Sequence, residues 1–145
     1  MKADRRHVLR IGCACLAGPW IAGIVSGCTS THYIAGTLEG NGITIARAEF
    51  SLPEQAAYRE YVIVRNEKLE YPICVYRQSE NEYKALLMKC THQGTELQAA
   101  GDHLHCPAHG SEYNSSGQVT QGPATDGLRV FPVTVDNEKV VIILK

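Results

Sequence analysis

Cys90-Thr91-His92-Gln93-Gly94 and Cys106-Pro107-Ala108-His109-Gly110 begin sixteen residues apart and carry the most informative pattern in the chain. Each segment offers one thiol and one imidazole, the donors that soft and borderline metals prefer. The full pattern is Cys-x-His, thirteen residues, then Cys-x-x-His-Gly. Two cysteines and two histidines can close a tetrahedral site around one zinc, although zinc modules more often place a Cys-x-x-Cys or His-x-x-x-His pair on a hairpin or helix. The same four donors can also divide, two and two, between the metals of a binuclear centre.

The residues downstream favour the second solution. Ser111, Tyr113 and Gly117 follow the second pair, and then Gly122-Pro123-Ala124. A zinc module has no use for that set. Together with the two ligand pairs, over roughly residues 85–135, it resembles the Rieske [2Fe-2S] protein family, and the segment after the second pair resembles the quinol-oxidising members. The resemblance implies that Cys90 and Cys106 bind the inner iron of a [2Fe-2S] cluster, and His92 and His109 the outer iron near the surface. It also implies that Ser111 and Tyr113 tune the cluster by hydrogen bonds to its sulfurs. The chain departs from the quinol-oxidising pattern at three positions. Thr95 and Ala108 stand where those proteins have a disulfide between the cluster loops, and Gln93 stands where they place an apolar Leu.

Glycine and proline suit the same site. Gly94 and Gly110 follow ligands where the chain must turn tightly and bring backbone N–H groups towards sulfur. Pro107 pre-sets the backbone between two ligands, and Gly122-Pro123 is expected to form a third loop over the cluster, as its counterpart does in the family.

The 145 residues have room for one domain, with 44% hydrophobic and 20% charged residues as in ordinary globular proteins. The net charge of −1 hides an asymmetry: residues 1–27 carry Lys2, Arg5, Arg6 and Arg10 against Asp4. The remainder holds ten basic and fourteen acidic residues, and no basic patch points to nucleic acid. Six cysteines do not make a disulfide framework here. Cys13, Cys15 and Cys28 belong to the N-terminal segment, and Cys74 in Pro72-Ile73-Cys74-Val75-Tyr76 reads as a small buried hydrophobe.

The N-terminus reads as an address. A charged stretch at residues 4–10 precedes an apolar one at residues 11–25, the layout of an export signal. Arg5-Arg6 followed by Val8-Leu9 resembles a twin-arginine signal. The apolar stretch, broken by Gly12, Gly18, Pro19 and Gly23, falls short of the ~20 residues a spanning helix needs. It ends in Val25-Ser26-Gly27-Cys28, which resembles a bacterial lipobox with Cys28 as the lipid attachment. An uncleaved signal anchor is the rival reading. Either way the folded domain sits on the extracytoplasmic, periplasmic side, next to a membrane. The two ends support each other, because a cluster needs reduced thiolates and is assembled in the cytoplasm. The twin-arginine route exports folded proteins, whereas an unfolded chain would carry free thiols into an oxidising compartment.

The expected organisation is an export signal at 1–27, a tether rich in Thr, Ser and Gly at 28–42, and a Rieske [2Fe-2S] domain at 43–145. No amphipathic helix of useful length is found, and the domain reads as short strands between turns. Strands are expected at residues 43–50, 59–65, 71–77 and 83–89, the last leading into the first ligand loop. His103-Leu104-His105 reads as the strand feeding the second loop, with both histidines on one surface face. The clearest hairpin is 130–135, a turn at Asp136-Asn137-Glu138, and 139–144. The fold class is all-β: an antiparallel β-sandwich base with a small inserted cluster-binding cap, the architecture the resemblance also implies.

The function expected is one-electron transfer by a membrane-tethered extracytoplasmic Rieske protein, as a carrier or as the small subunit of an oxidoreductase. No length is left for a catalytic domain of its own. Its redox partner would be a c-type cytochrome or an oxidoreductase large subunit. The alternatives are the Rieske subunit of a quinol-oxidising cytochrome complex and, from another class, a zinc-stabilised binding module.

Overall fold

The computed structural model describes residues 31–145, so the segment expected to be an export signal, and Cys28, lie outside the described residues. In chain order the strands are β1 (Tyr33–Ala35), β2 (Thr37–Glu39), β3 (Gly42–Ala46), β4 (Ser51–Leu52), β5 (Ala57–Tyr58), β6 (Tyr61–Arg65), β7 (Ile73–Arg77) and β8 (Tyr83–Leu87). They continue as β9 (Gln98–Ala100), β10 (His103–His105), β11 (Glu112–Asn114), β12 (Val119–Gln121), β13 (Val130–Phe131), β14 (Val133–Val135) and β15 (Lys139–Ile143). A central sheet runs β1-β6-β7-β8-β13, a second sheet runs β14-β15-β3-β2, and a cap sheet runs β12-β11-β10-β9. A short β4-β5 ladder completes the pattern. Apart from the parallel β1-β6 edge, these pairings are antiparallel.

The central sheet is buried on both faces, and side-chain alternation sorts its residues between two cores. Val62, Val64, Ile73, Val75, Tyr83 and Ala85 point at the second sheet, where they meet Ile43, Ile45, Val140 and Ile142. Ile63, Cys74, Tyr76 and Leu86 point the other way, into the cap, where they meet Leu97, Leu104 and Tyr113. Two-sided burial is why Val62-Ile63-Val64 and Ile73-Cys74-Val75-Tyr76 read as continuous apolar runs. β15, with one face covered, alternates instead: Val140 and Ile142 are fully buried and Lys139 is exposed. Cys74 is completely buried and free, and burial pushes its thiol far up, so it behaves as the inert hydrophobe expected.

The structure differs from the sequence expectation at three places. β1 and β2 occupy residues expected in the tether. β1 docks through its backbone, with Ile63 N–H donating to His32 C=O at 2.9 Å and Gly36 N–H to Arg65 C=O at 3.0 Å. Most of its side chains stay exposed, so no hydrophobic period marks it in the sequence. The strand expected over residues 43–50 ends at Ala46, and Arg47–Phe50 is a 3₁₀ turn that returns Phe50 to the core. The C-terminal run 130–135 is split by Pro132. β13 pairs with β8 in the central sheet, and β14 with β15 in the second. Proline cannot donate to a ladder, and the chain changes sheets there. The turn at Asp136 forms as expected: its carboxylate accepts the N–H groups of Glu138 and Lys139 at 2.8 and 2.7 Å. Those bonds hold the carboxyl below its ordinary range.

Leu104 is fully buried between cap and central sheet and pairs with Tyr113 across β10-β11. Leu104→Ala is expected to cost about 2–5 kcal/mol, read as a lower denaturation midpoint.

Candidate metal centre

Strand parity brings the two thiols inward. Leu86, Met88 and Cys90 share one face at a period of two, and all three belong to the core under the cap. Leu104 and Cys106 repeat the arrangement from β10. Cys90 and Cys106 are 2% and 1% exposed, whereas His92 is half-buried and His109 exposed. The imidazoles meet edge to face, with ring centroids 4.9 Å apart and planes at 89°. The four expected ligands are thus brought together as two inner thiols and two outer imidazoles.

The ligand loops close in the same way. Gly94 N–H donates to Cys90 C=O at 2.8 Å, and Gly110 N–H to Cys106 C=O at 3.0 Å. One residue further on, Cys90 N–H donates to Thr95 C=O and Cys106 N–H to Ser111 C=O, each at 2.8 Å. Gly94 and Gly110 sit at φ +76° and +77°, the left-handed region that side chains resist.

Hydrogen bonds converge on the sulfur. Burial pushes the Cys90 thiol up, but the Tyr113 hydroxyl, the His92 and Gln93 N–H groups and Cys106 together outweigh it and hold the thiol below its ordinary range. That environment favours the thiolate, the form that binds metal. Tyr113, fully buried, lies 3.4 Å from Cys90 Sγ and accepts the Thr91 N–H at 3.1 Å. Burial, together with the bond to Cys90, holds its phenol above the usual range, so it stays a donor. Thr91 Oγ1 donates to Asp126 C=O at 2.7 Å, and so it faces Tyr113, 2.9 Å away, as an acceptor. The single phenolic proton is shared between Thr91 Oγ1 and the Cys90 sulfur.

The third loop, at residues 122–127, is tied to both ligand loops. Asp126 reaches Thr91 in the first, and Ala124 N–H donates to Ser111 Oγ beside the second at 3.0 Å. The Gly122–Pro123 peptide is cis. Ser111 is fully buried, and its oxygen accepts the Ala124 N–H, which leaves its proton free to donate. His103 and His105 lie on the face of β10 opposite Leu104, and His103 Nδ1 is 3.1 Å from Asp102. Neither joins the four donors. Residue order alone does not show the parts played by Thr91 and Asp126: Thr91 is marked only as a hydroxyl between two candidate donors, and Asp126 acts through a carbonyl that any residue supplies.

The model of the Rieske [2Fe-2S] domain matches residues 50–132. The chain belongs to the Rieske [2Fe-2S] domain family. Among curated relatives, the cytochrome b6-f complex iron-sulfur subunit 1 of Nostoc is 38% identical over 55 residues, which span 37% of this chain and 31% of that subunit. The mitochondrial cytochrome b-c1 complex subunit Rieske of Chlorocebus aethiops is 37% identical over 70 residues, spanning 46% of this chain and 26% of that subunit. The chain thus spans about a third or less of the curated relatives' length in these matches. Among solved structures, the plasma membrane Rieske protein PetC3 from Synechocystis shares the fold with a TM-score of 0.50 at 23% identity, covering 57% of this chain and 85% of that one.

A [2Fe-2S] cluster is therefore the cofactor, and the zinc module is set aside. The site fits it. His92 Nδ1 is buried with no hydrogen-bond partner, an expensive state for an imidazole nitrogen unless a metal takes its lone pair.

Gly94→Ala and Gly110→Ala should each cost about 1–2 kcal/mol, and by similar amounts because the loops close alike. Chemical denaturation of the two variants checks this.

Proposed function

We propose that the protein carries single electrons through a [2Fe-2S] cluster held by Cys90 and Cys106 at the buried iron and by His92 and His109 at the outer iron. The observation that carries this is the orphaned His92 Nδ1, set outside two buried thiols and beside a second imidazole. When bound, the cluster takes up and gives back one electron. The residues around it manage charge and access. The N–H groups of His92 and Gln93 and the Tyr113 hydroxyl spread negative charge off the Cys90 sulfur. Ser111 has a proton free for a further sulfur. Each such donor favours the reduced state, which carries the extra electron. Exposed His109 shortens the path to a partner. Cap and central sheet together exclude water from the thiols.

The domain is read as tethered through lipid on Cys28 at the extracytoplasmic face of a membrane, after export by the twin-arginine route. Among the described residues no helix is long and apolar enough to cross a membrane. A c-type cytochrome or an oxidoreductase large subunit is the partner favoured by Gln93 at the tip and by the absence of cysteines at Thr95 and Ala108. The names of the curated relatives support the second reading, a subunit of a quinol-oxidising cytochrome complex.

Freshly purified protein should contain two iron and two labile sulfide per chain. The reduced state should show nitrogen hyperfine coupling that His92→Cys or His109→Cys alters. One zinc and no sulfide would overturn the reading. If each hydroxyl favours the reduced state by about 1–3 kcal/mol, Ser111→Ala and Tyr113→Phe should each lower the midpoint potential by roughly 40–130 mV. Voltammetry on variants with intact clusters reads this.

For the tether, Cys28→Ala should block maturation and remove the lipid mass from the N-terminal peptide. Intact mass spectrometry that finds residues 1–27 retained and no lipid would support the signal anchor instead.

A further inference from the structure

The point where the chain enters the domain constrains which end of it can meet a membrane. β1 runs parallel to β6, with Tyr33 opposite Ile63, and His32 is held just before it. Its carbonyl accepts the Ile63 N–H at 2.9 Å, and its Nε2 lies 2.9 Å from Glu49 Oε2. In the ladder, Val62 pairs with Val75, and Val75 with Ala85, so His32 stands level with Ala85. From Ala85 the chain runs five residues along β8 and beyond it to Cys90, about 16 Å at strand rise. The paired histidines lie at that end of the domain. The opposite end is formed by the turn between β7 and β8, by Arg77 stacked on the exposed Tyr58 ring at 3.9 Å, and by the turn at Asp136. β1 runs towards the cluster loops, and His32 stands about 16 Å short of the level of Cys90.

Cys28 lies four residue steps before His32, and fully extended that stretch reaches at most about 14 Å. That is shorter than the distance from His32 to the level of Cys90, even if the chain doubled back along the sheet. We infer that the domain stands with its Tyr58–Arg77 end on the membrane and its histidine tip in the aqueous phase, so that the cluster serves a dissolved or peripheral redox protein. An acceptor site in the membrane plane lies out of its reach. The inference rests on the proposed lipid at Cys28. The tip itself presents Gln93, Pro107 and Ala108, exposed and uncharged, around His109. Such a surface suits a transient encounter with a soluble partner more than a charge-locked one.

The test uses the full-length, lipidated holoprotein on vesicles with nickel-chelating headgroups, and reads the electron spin relaxation of the reduced cluster. Nickel at the membrane surface should speed relaxation less in the wild type than in a variant with about ten Gly and Ser residues inserted between Ser30 and Thr31, which adds roughly 16–19 Å of mean reach. A soluble nickel chelate should affect both proteins equally. Equal enhancement by surface nickel in wild type and linker variant, with both proteins floating with the vesicles, would overturn the orientation alone. Protein that fails to float would remove the lipid reading, and the orientation with it.

Discussion

Burial of the central sheet on both faces is the constraint from which the metal centre follows. β8 can deliver Cys90 to a dry interior only because Leu86 and Met88 before it are already covered by the cap. Leu104 does the same for Cys106. Had the cap face been solvated, the same alternation would have left both thiols in water, open to oxidation. Burying a thiol that must ionise is costly, and the cost is met locally by the donors around Cys90. The apolar layer and the polar inner shell are two halves of one solution.

The two ligand loops are near copies in their backbone bonding, yet they place His92 two residues after its cysteine and His109 three residues after. Both glycine N–H groups return to the cysteine carbonyl four residues earlier, so the loop closure is conserved while the histidine position within it shifts. The outcome is a pair of edge-to-face imidazoles reached from different points on equivalent turns.

The quinol-oxidising pattern staples its cluster loops with a disulfide, and Thr95 and Ala108 preclude that here. Hydrogen bonds tie the loops instead. Tyr113 joins β11 to the first loop, Thr91 joins the first loop to Asp126, and Ala124 joins the third loop to Ser111. The bonds of Tyr113 and Thr91 are made at or next to a candidate ligand, so part of what holds the cap together also shapes the surroundings of the Cys90 thiol. Net hydrogen-bond contributions of about 0.5–1.5 kcal/mol each are smaller than that of a typical disulfide. A cap secured this way needs the apolar seal beneath it.

Much was readable from residue order alone. The candidate donors stand out by chemical type and spacing. Val62-Ile63-Val64 and Ile73-Cys74-Val75-Tyr76 announce strands buried on both sides, and the Asp136 turn marks the final hairpin. These features are local, encoded within a few residues of one another. β1 and β2 were invisible, because an exposed edge strand is held by backbone bonds that carry no side-chain signature. The switch of sheets at Pro132, the carbonyl of Asp126 above Thr91 and the entry of the chain far from the histidines were equally hidden. Each depends on which distant segments become neighbours. A one-dimensional pattern records what each residue can do, and packing alone settles what it finds beside it.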